Sequence, residues 1–309
     1  MKILGIGNAI VDVISKVDEN FLKENNLSKS NMKLIFDENK FRKLLSNLKI
    51  EKTISGGSVA NSIVGLSQLG DEVGFIGKVS DDTFGQKYEV GLKKENVKYL
   101  YKKKKEALPT GTCLILITPD SERTMCTFLG TAGKINENDV NEDAIKKSEI
   151  IFLEGYLWDE GEPKKAFEKA ISNANKVAMS LSDKFCVERH KPHFLNLVKH
   201  KIDITFANED EIKSLIDAKN LEEVLSFARE IKKIIVITRG EKGAISIKGN
   251  QITEVDAKKN LNIVDLTGAG DLFAAGYLHG IINNFNQKQC LEKGTEMSSI
   301  IIQKIGARI

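Results

Sequence analysis

The chain has few of the residues that mark specialised architectures. Its 309 residues include 4 prolines and no long Gly/Ser tract, which excludes collagen-like and broadly disordered structure. There are 4 cysteines, Cys113, Cys126, Cys186 and Cys290, with no C-x-x-C spacing. That excludes a disulfide scaffold and a zinc ribbon, and reads as free thiols in a reducing compartment. The 4 histidines make no ligand-spaced cluster, and His190 and His193 read as surface residues on a loop around Pro192. Neither sign of charge dominates: 46 Lys and Arg stand against 43 Asp and Glu, so nothing global favours a nucleic-acid partner. No apolar run approaches the roughly 18 residues of a membrane-spanning helix, and no export signal opens the chain. The expectation is a cytoplasmic protein with no membrane partner. G-x-x-x-x-G-K-[ST], H-E-x-x-H and G-x-S-x-G are also missing.

What is present is a regular alternation. Short apolar runs at Lys2–Ile6, Val73–Ile76, Ile150–Leu153, Lys176–Ser180, Ile202–Ala207 and Ile234–Thr238 read as buried strands. Helical periods lie between them at Ser58–Leu69, Phe84–Glu95, Lys164–Asn173, Glu209–Ile216 and Leu221–Lys232. Such alternation predicts a mostly parallel sheet covered on both faces, with ligands at the strands' carboxyl ends. Val11–Phe36 and Val97–Leu129 break the pattern with strand-like runs and no obvious intervening helix. Such strands usually pair antiparallel, and here they predict a small β-sheet lid. The division is a large domain of residues 1–10, 37–96 and 130–309, and a lid of 11–36 and 97–129. Lys102–Lys105 reads as a solvated loop between lid strands.

Five motifs can carry chemistry. The strongest is Asp265-Leu-Thr-Gly-Ala-Gly-Asp271, running into a small, apolar helix. Gly268 and Gly270 permit a tight turn that aims N–H groups, including that of Ala269, at one point, and the helix start adds its positive end. Asp271 stands there as a base for a substrate hydroxyl. An anion hole beside a base is what phosphoryl transfer to an alcohol requires. The plainer alternative is a glycine turn with Asp271 as a helix cap. Gly56 and Gly57 let a ligand approach the backbone, and Asn61 offers donor and acceptor to vicinal hydroxyls. Gly7–Asp12 lacks the third glycine of a dinucleotide fingerprint, and Asp12 suits a diol. Asn208–Glu211 places acids at a helix start, where they serve the dipole unless a metal–phosphate lies nearby. Thr238–Ala244, with Gly240 and Gly243, reads equally as a nucleotide loop or a tight hairpin.

In this order the motifs resemble the ribokinase/PfkB family of sugar and nucleoside kinases over nearly the whole chain. Asp265–Asp271 is similar to the family's C-terminal signature and Gly56–Asn61 to its N-terminal one, with Leu266 and Val59 bulkier than usual. The resemblance implies a three-layer α/β/α sandwich with a mostly parallel central sheet and a β lid. It implies ATP-dependent phosphorylation of a hydroxymethyl group, with Asp271 as base and the Gly268, Ala269 and Gly270 amides as anion hole. Asp12, Gly57 and Asn61 would hold sugar hydroxyls. Glu211, with Asn208, would organise Mg2+ through water, and Thr238 and Gly240 would meet ATP. Asp265 resembles a monovalent-cation (K+) ligand. Gly7–Asp12, Thr110–Cys113, Arg123–Met125, Glu154–Trp158 and Leu181–Asp183 are most similar to the adenosine-kinase-like branch. By that match Asn8, Ile10, Cys113 and Leu157 would line the acceptor pocket and Arg123 would reach the phosphates. Tyr156 and Trp158 would stack on a base or pack in the core. The acceptor is left open between a ribonucleoside and a free sugar of fructokinase or ribokinase type, and a non-catalytic binding regulator on the same fold is the rival. A monomer and a homodimer both fit.

Overall fold

The computed structural model describes residues 1–120, 122–158 and 161–309. Within them, fourteen strands form two sheets. The larger contains β1 (Ile3–Ile6), β5 (Val73–Ile76), β6 (Lys98–Tyr99), β9 (Ile150–Glu154), β10 (Val177–Ser180), β11 (Ile204–Asn208), β12 (Ile234–Thr238), β13 (Ala244–Lys248) and β14 (Gln251–Val255). The smaller contains β2 (Ile10–Lys16), β3 (Met32–Leu34), β4 (Lys52–Gly56), β7 (Thr112–Ile117) and β8 (Arg123–Phe128).

The large sheet runs β14-β13-β12-β11-β10-β9-β1-β5-β6 and is parallel from β12 to β6. Its central strands β1, β5 and β9 are buried at every position because both faces are covered. Ile3, Ile150 and Phe152 point into one buried cluster; their neighbours Leu4, Ile151 and Leu153 point into another. Two cores separated by one sheet make the three-layer α/β/α arrangement. The chain builds outward from β1 in both directions, so the strand order switches between β5 and β9. The crevice above that switch is where such sheets bind ligands. Gly7 and Asn8 leave β1 there, and Glu154 ends β9 beside them.

The small sheet runs β3-β8-β7-β2-β4 and is mixed: β2–β7 and β3–β8 pair parallel, β2–β4 and β7–β8 antiparallel. The all-antiparallel expectation therefore fails. The helix Glu19–Glu24, unseen in the sequence pattern, lies between β2 and β3. The sheet also draws β4 from residues 37–96, while β6 from 97–129 joins the large sheet. Strand alternation gives the small sheet two uses. Val11, Val13, Leu114 and Leu116 enter the core with Phe41 and Leu44 of the Glu38–Ser46 helix. Asp12, Ile14, Ile115 and Ile117 face the cleft.

Lys184–His200 is a helix rather than a loop, and Pro192 lies inside it. The missing N–H is absorbed by a kink at His190 (φ −116°, ψ 15°). Lys102–Lys105 lies in the β6–β7 connection, and Lys103 is ion-paired to Glu89 at 3.1 Å.

Candidate active site

The helix Ala269–Ile282 carries Asp271 in its first turn and has no side-chain cap. Its start is shaped by Gly268, whose φ of +80° and approach to Ala307 (2.7 Å from an added Cβ to Cα) leave no room for a side chain. Asp271 is thus not the cap of the plainer reading. Ala269 N donates back to Leu266 O at 3.2 Å.

A second helix, Ser58–Gln68, packs alongside it, with Gly65 against Leu272 and Ala275. Gly57 (φ +101°) permits its entry, since a Cβ there would stand 2.2 Å from Asn8 O. Ser58 Oγ donates to Asp271 Oδ1 at 2.6 Å and Asn61 Nδ2 donates to Oδ2 at 2.9 Å. Burial pushes the Asp271 carboxyl up to about 6, against those hydrogen bonds and the Arg308 charge.

Asp12 is opposite Cys113 on β7 and Ile54 on β4. Burial pushes it up to about 7; Arg308 opposes the rise and Asp271 adds to it. Gly56 leaves space for this carboxylate, since a Cβ there would lie 2.4 Å from Oδ2. Asp12, Asn61 and Arg123 line one small enclosure with Ile14, Ile115 and Arg308. Its free space is about 20 Å3, so the lining side chains must move apart to admit an organic ligand. Ile10 and Cys113 pack together beside it. Asn8 donates to Glu154 Oε1 at 3.1 Å, and its own Oδ1 is buried without a partner among the described residues.

On the other side of Asp271 is a longer cleft. A cavity of about 280 Å3 is bordered by Asp271, Gly268, Gly270, Asn208 and Glu211. It shares Thr238, Ala269, Gly270 and Phe273 with a neighbouring cavity of about 600 Å3, more apolar, bordered also by Gly240 and Gly243. The Thr238–Ala244 segment is both things the sequence allowed: β12 and β13 pair antiparallel across it, and it walls this cavity. Asn208 and Glu211 form a reciprocal helix cap, and burial pushes Glu211 up to about 7 against the Asn208 N–H. Among the described residues no three His, Cys, Asp or Glu side chains converge on a metal position. Glu211 on the cavity beside Asp271 fits a Mg2+ held by phosphates and water, which needs few protein ligands.

Leu157, Arg123 and Asp265 are engaged elsewhere than the resemblance places them, and Tyr156 and Trp158 take the packing alternative. Leu157 and Trp158 are buried in the core, with Trp158 edge-on to Phe167 at 4.9 Å. Tyr156 donates to Asp183 Oδ2 at 2.7 Å, away from the Asp12 enclosure. Arg123 is ion-paired with Asp265. Asp265 also accepts from Gly306 N (2.7 Å) and Thr267 Oγ1 (2.8 Å). Burial opposes ionisation, but these donors and the Arg123 charge hold its carboxyl below the usual range. A side chain already carrying a guanidinium does not fit a monovalent cation.

Sequence reasoning assigned no role to Ser58, Glu154 or Arg308. Ser58 and Glu154 lie inside motifs already singled out. Glu154 accepts Val59 N at 3.1 Å, and burial pushes it up to about 7 against that bond and the one from Asn8. Arg308 has no local signal at all, because only the tertiary fold returns it to Asn61.

A family model described as pfkB family carbohydrate kinase matches residues 6–309. The structure is similar to that of adenosine kinase from Sinorhizobium meliloti (TM-score 0.90, 34% identity, covering 100% of this chain and 95% of that one). It is equally similar to a probable sugar kinase from Rhizobium etli CFN 42 (TM-score 0.90, 36% identity, 99% and 94%). Among curated proteins, a 5-dehydro-2-deoxygluconokinase of Geobacillus kaustophilus is 26% identical over 80% of this chain and 78% of its own. Adenosine kinase 2 of Arabidopsis thaliana is 24% identical over 98% of this chain and 94% of its own.

Proposed function

Because the chain belongs to the pfkB family of carbohydrate kinases, we propose that it transfers the γ-phosphoryl group of ATP to a hydroxymethyl group of a ribonucleoside of adenosine type. The observation that carries this is the position of Asp271. It borders the 280 Å3 cavity on one side and, through Asn61, the Asp12 enclosure on the other.

The acceptor's vicinal hydroxyls donate to Asp12 and meet Asn61, beside Gly56 and Gly57. The walls Ile14, Ile54, Ile115 and Ile117 suit the apolar face of a base. The small sheet acts as the lid that excludes water, the competing nucleophile. Asp271 takes the proton of the hydroxymethyl group as its oxygen attacks phosphorus. Gly268 and Gly270 N–H groups, with the helix start, stabilise charge on the moving phosphoryl group. ATP lies along the Thr238, Gly240 and Gly243 wall. Mg2+ supplies charge neutralisation on the phosphates, and Glu211 with Asn208 would hold its water shell.

The second reading is a free-sugar kinase. It is favoured by the small enclosure and by the absence of Tyr156 and Trp158 from it, which removes the stacking expected for a base. A non-catalytic regulator is disfavoured by an intact Asp271 with both oxygens oriented. An ADP-release assay with Mg-ATP against adenosine, other ribonucleosides, ribose and fructose separates these. Turnover on adenosine at least tenfold above the sugars supports the first reading; turnover only on sugars replaces it with the second; no turnover on any acceptor removes both.

A further inference from the structure

Asn61 stands between a group that only accepts and a group that only donates. Its Nδ2 gives a hydrogen bond to Asp271 Oδ2 at 2.9 Å, and its Oδ1 receives one from Arg308 Nε at 3.2 Å. A guanidinium has no acceptor and an ionised carboxylate has no donor, so this pair of neighbours permits one orientation of the amide. We propose that Arg308 is a positioning residue for phosphoryl transfer, fixing the Asn61 amide so that its N–H faces the base. The proposal rests on the reading of Asp271 as that base.

The geometry makes the role specific. Arg308 comes from a segment distant in sequence, seated by Gly306 N on Asp265 and by Ala307 against Gly268. Its Nη2 is enclosed and makes no hydrogen bond among the described residues. Were Arg308 lost, the amide would be free to turn its oxygen toward Asp271. A carboxylate facing that oxygen is tolerated only when protonated, and a protonated Asp271 cannot accept the substrate's proton. Loss of the positive charge acts in the same direction. The charged and titratable groups facing Asp271 are Asp12 from β2, Glu154 from β9 and Arg308 itself. Those facing Arg308 are Asp12, Asp271, Tyr88 and Glu95. The two carboxylates closest to the chemistry therefore share one cation.

The test is a set of pH–rate profiles on the full chain with Mg-ATP and the best acceptor, for wild type, Arg308→Gln, Arg308→Lys, Asn61→Ala and the Arg308→Gln/Asn61→Ala double variant. Arg308→Gln is expected to lower kcat at pH 7 by about tenfold, the scale of one hydrogen bond to a charged group. Its acid limb should rise by about one unit, while KM for ATP stays unchanged. Arg308→Lys, which keeps a donor and the charge, should restore most of both. In the Asn61→Ala background the Arg308→Gln change should add little, because both act through one contact. An unmoved acid limb, equal damage from Gln and Lys, or fully additive losses would each overturn the proposal. If Arg308→Gln does not fold, as read by its melting curve, Arg308→Met, which also removes the donor and the charge, takes its place in the same profiles and cycle. An Asp271→Asn variant run alongside separates the two levels: its inactivity with a wild-type Arg308→Gln profile sinks only this inference, whereas its retained turnover sinks the assignment of the base.

Discussion

Ser58 Oγ donates to Asp271 Oδ1 across 2.6 Å, joining two helix starts 213 residues apart. With Asn61 on the other oxygen, the carboxylate is held in one rotamer before any substrate arrives. Preorganisation of this kind spares the reaction the cost of ordering its own base. It also explains how a buried carboxyl titrates near 6 rather than much higher: two donors and a nearby cation offset part of its desolvation.

Replacing Asp271 by Asn keeps the size and the partner of Asn61 while removing the proton acceptor. Turnover should fall by about 10²–10⁴-fold, the usual contribution of a positioned general base. ATP binding by calorimetry should stay near wild type, and the melting temperature at pH 7 should not fall, since a buried charge is removed. Near-normal turnover in this variant would refute the assignment.

Much of the scaffold was legible because it obeys local rules. Val73–Ile76 and Ile234–Thr238 are continuous apolar runs buried on both faces, and Glu209–Ile216 begins at a reciprocal cap readable in four residues. The Lys184–His200 helix was not, because Pro192 and the flanking charges imitate a loop, and the compensating kink at His190 is a tertiary accommodation. β4 was missed because Lys52–Gly56 is short and belongs to a sheet whose other strands are remote in sequence. The site divides the same way. Ser58, Asn61, Gly268 and Gly270, all within motifs, gather at Asp271, whereas the Arg308 contact and the pairing of Arg123 with Asp265 depend on long-range return of the chain.

Four buried carboxyls make the free protein's stability depend on pH. Asp12, Glu154 and Glu211 are pushed up to about 7 and Asp271 to about 6, from ordinary values of 3.8 for Asp and 4.5 for Glu. Between the ordinary and the raised values the native state binds more protons than the unfolded state, so stability falls as pH rises through that window. Melting temperature without ligands should decrease from pH 5 to pH 8, and Asp12→Asn should flatten the trend. Catalysis runs oppositely, since Asp12 must be ionised to accept the hydroxyls and Asp271 to take the proton: kcat/KM should drop as pH falls from about 7 through about 6. A melting temperature that climbs from pH 5 to pH 8 would contradict these burial effects.

Arg123 bears on ion dependence. Its guanidinium sits on Asp265, whose oxygens also accept from Thr267 and Gly306. With that positive charge in place, exchanging K+ for choline at constant ionic strength should leave kcat unchanged. Several-fold activation by K+ would show that the ion pair opens to admit a cation during turnover.

Gly56 offers the sharpest separation of the two sides of the cleft. Its backbone does not have the positive φ that Gly57 has, so alanine is conformationally acceptable there. An added methyl, however, would stand 2.4 Å from Asp12 Oδ2 and 2.9 Å from Oδ1, inside van der Waals contact with both. The carboxylate must swing away from the enclosure it shares with Asn61. If Asp12 holds the acceptor's hydroxyls, Gly56→Ala should weaken acceptor binding by about tenfold or more, equivalent to losing a hydrogen bond to a charged group. Thr238, Gly240 and Gly243 border the other cavity and are untouched, so nucleotide affinity should not change. Parallel calorimetric titrations with acceptor and with ATP read both. Unchanged acceptor affinity would remove Asp12 from the binding role, and an equal loss for ATP would mean that the substitution disturbs the fold rather than one site.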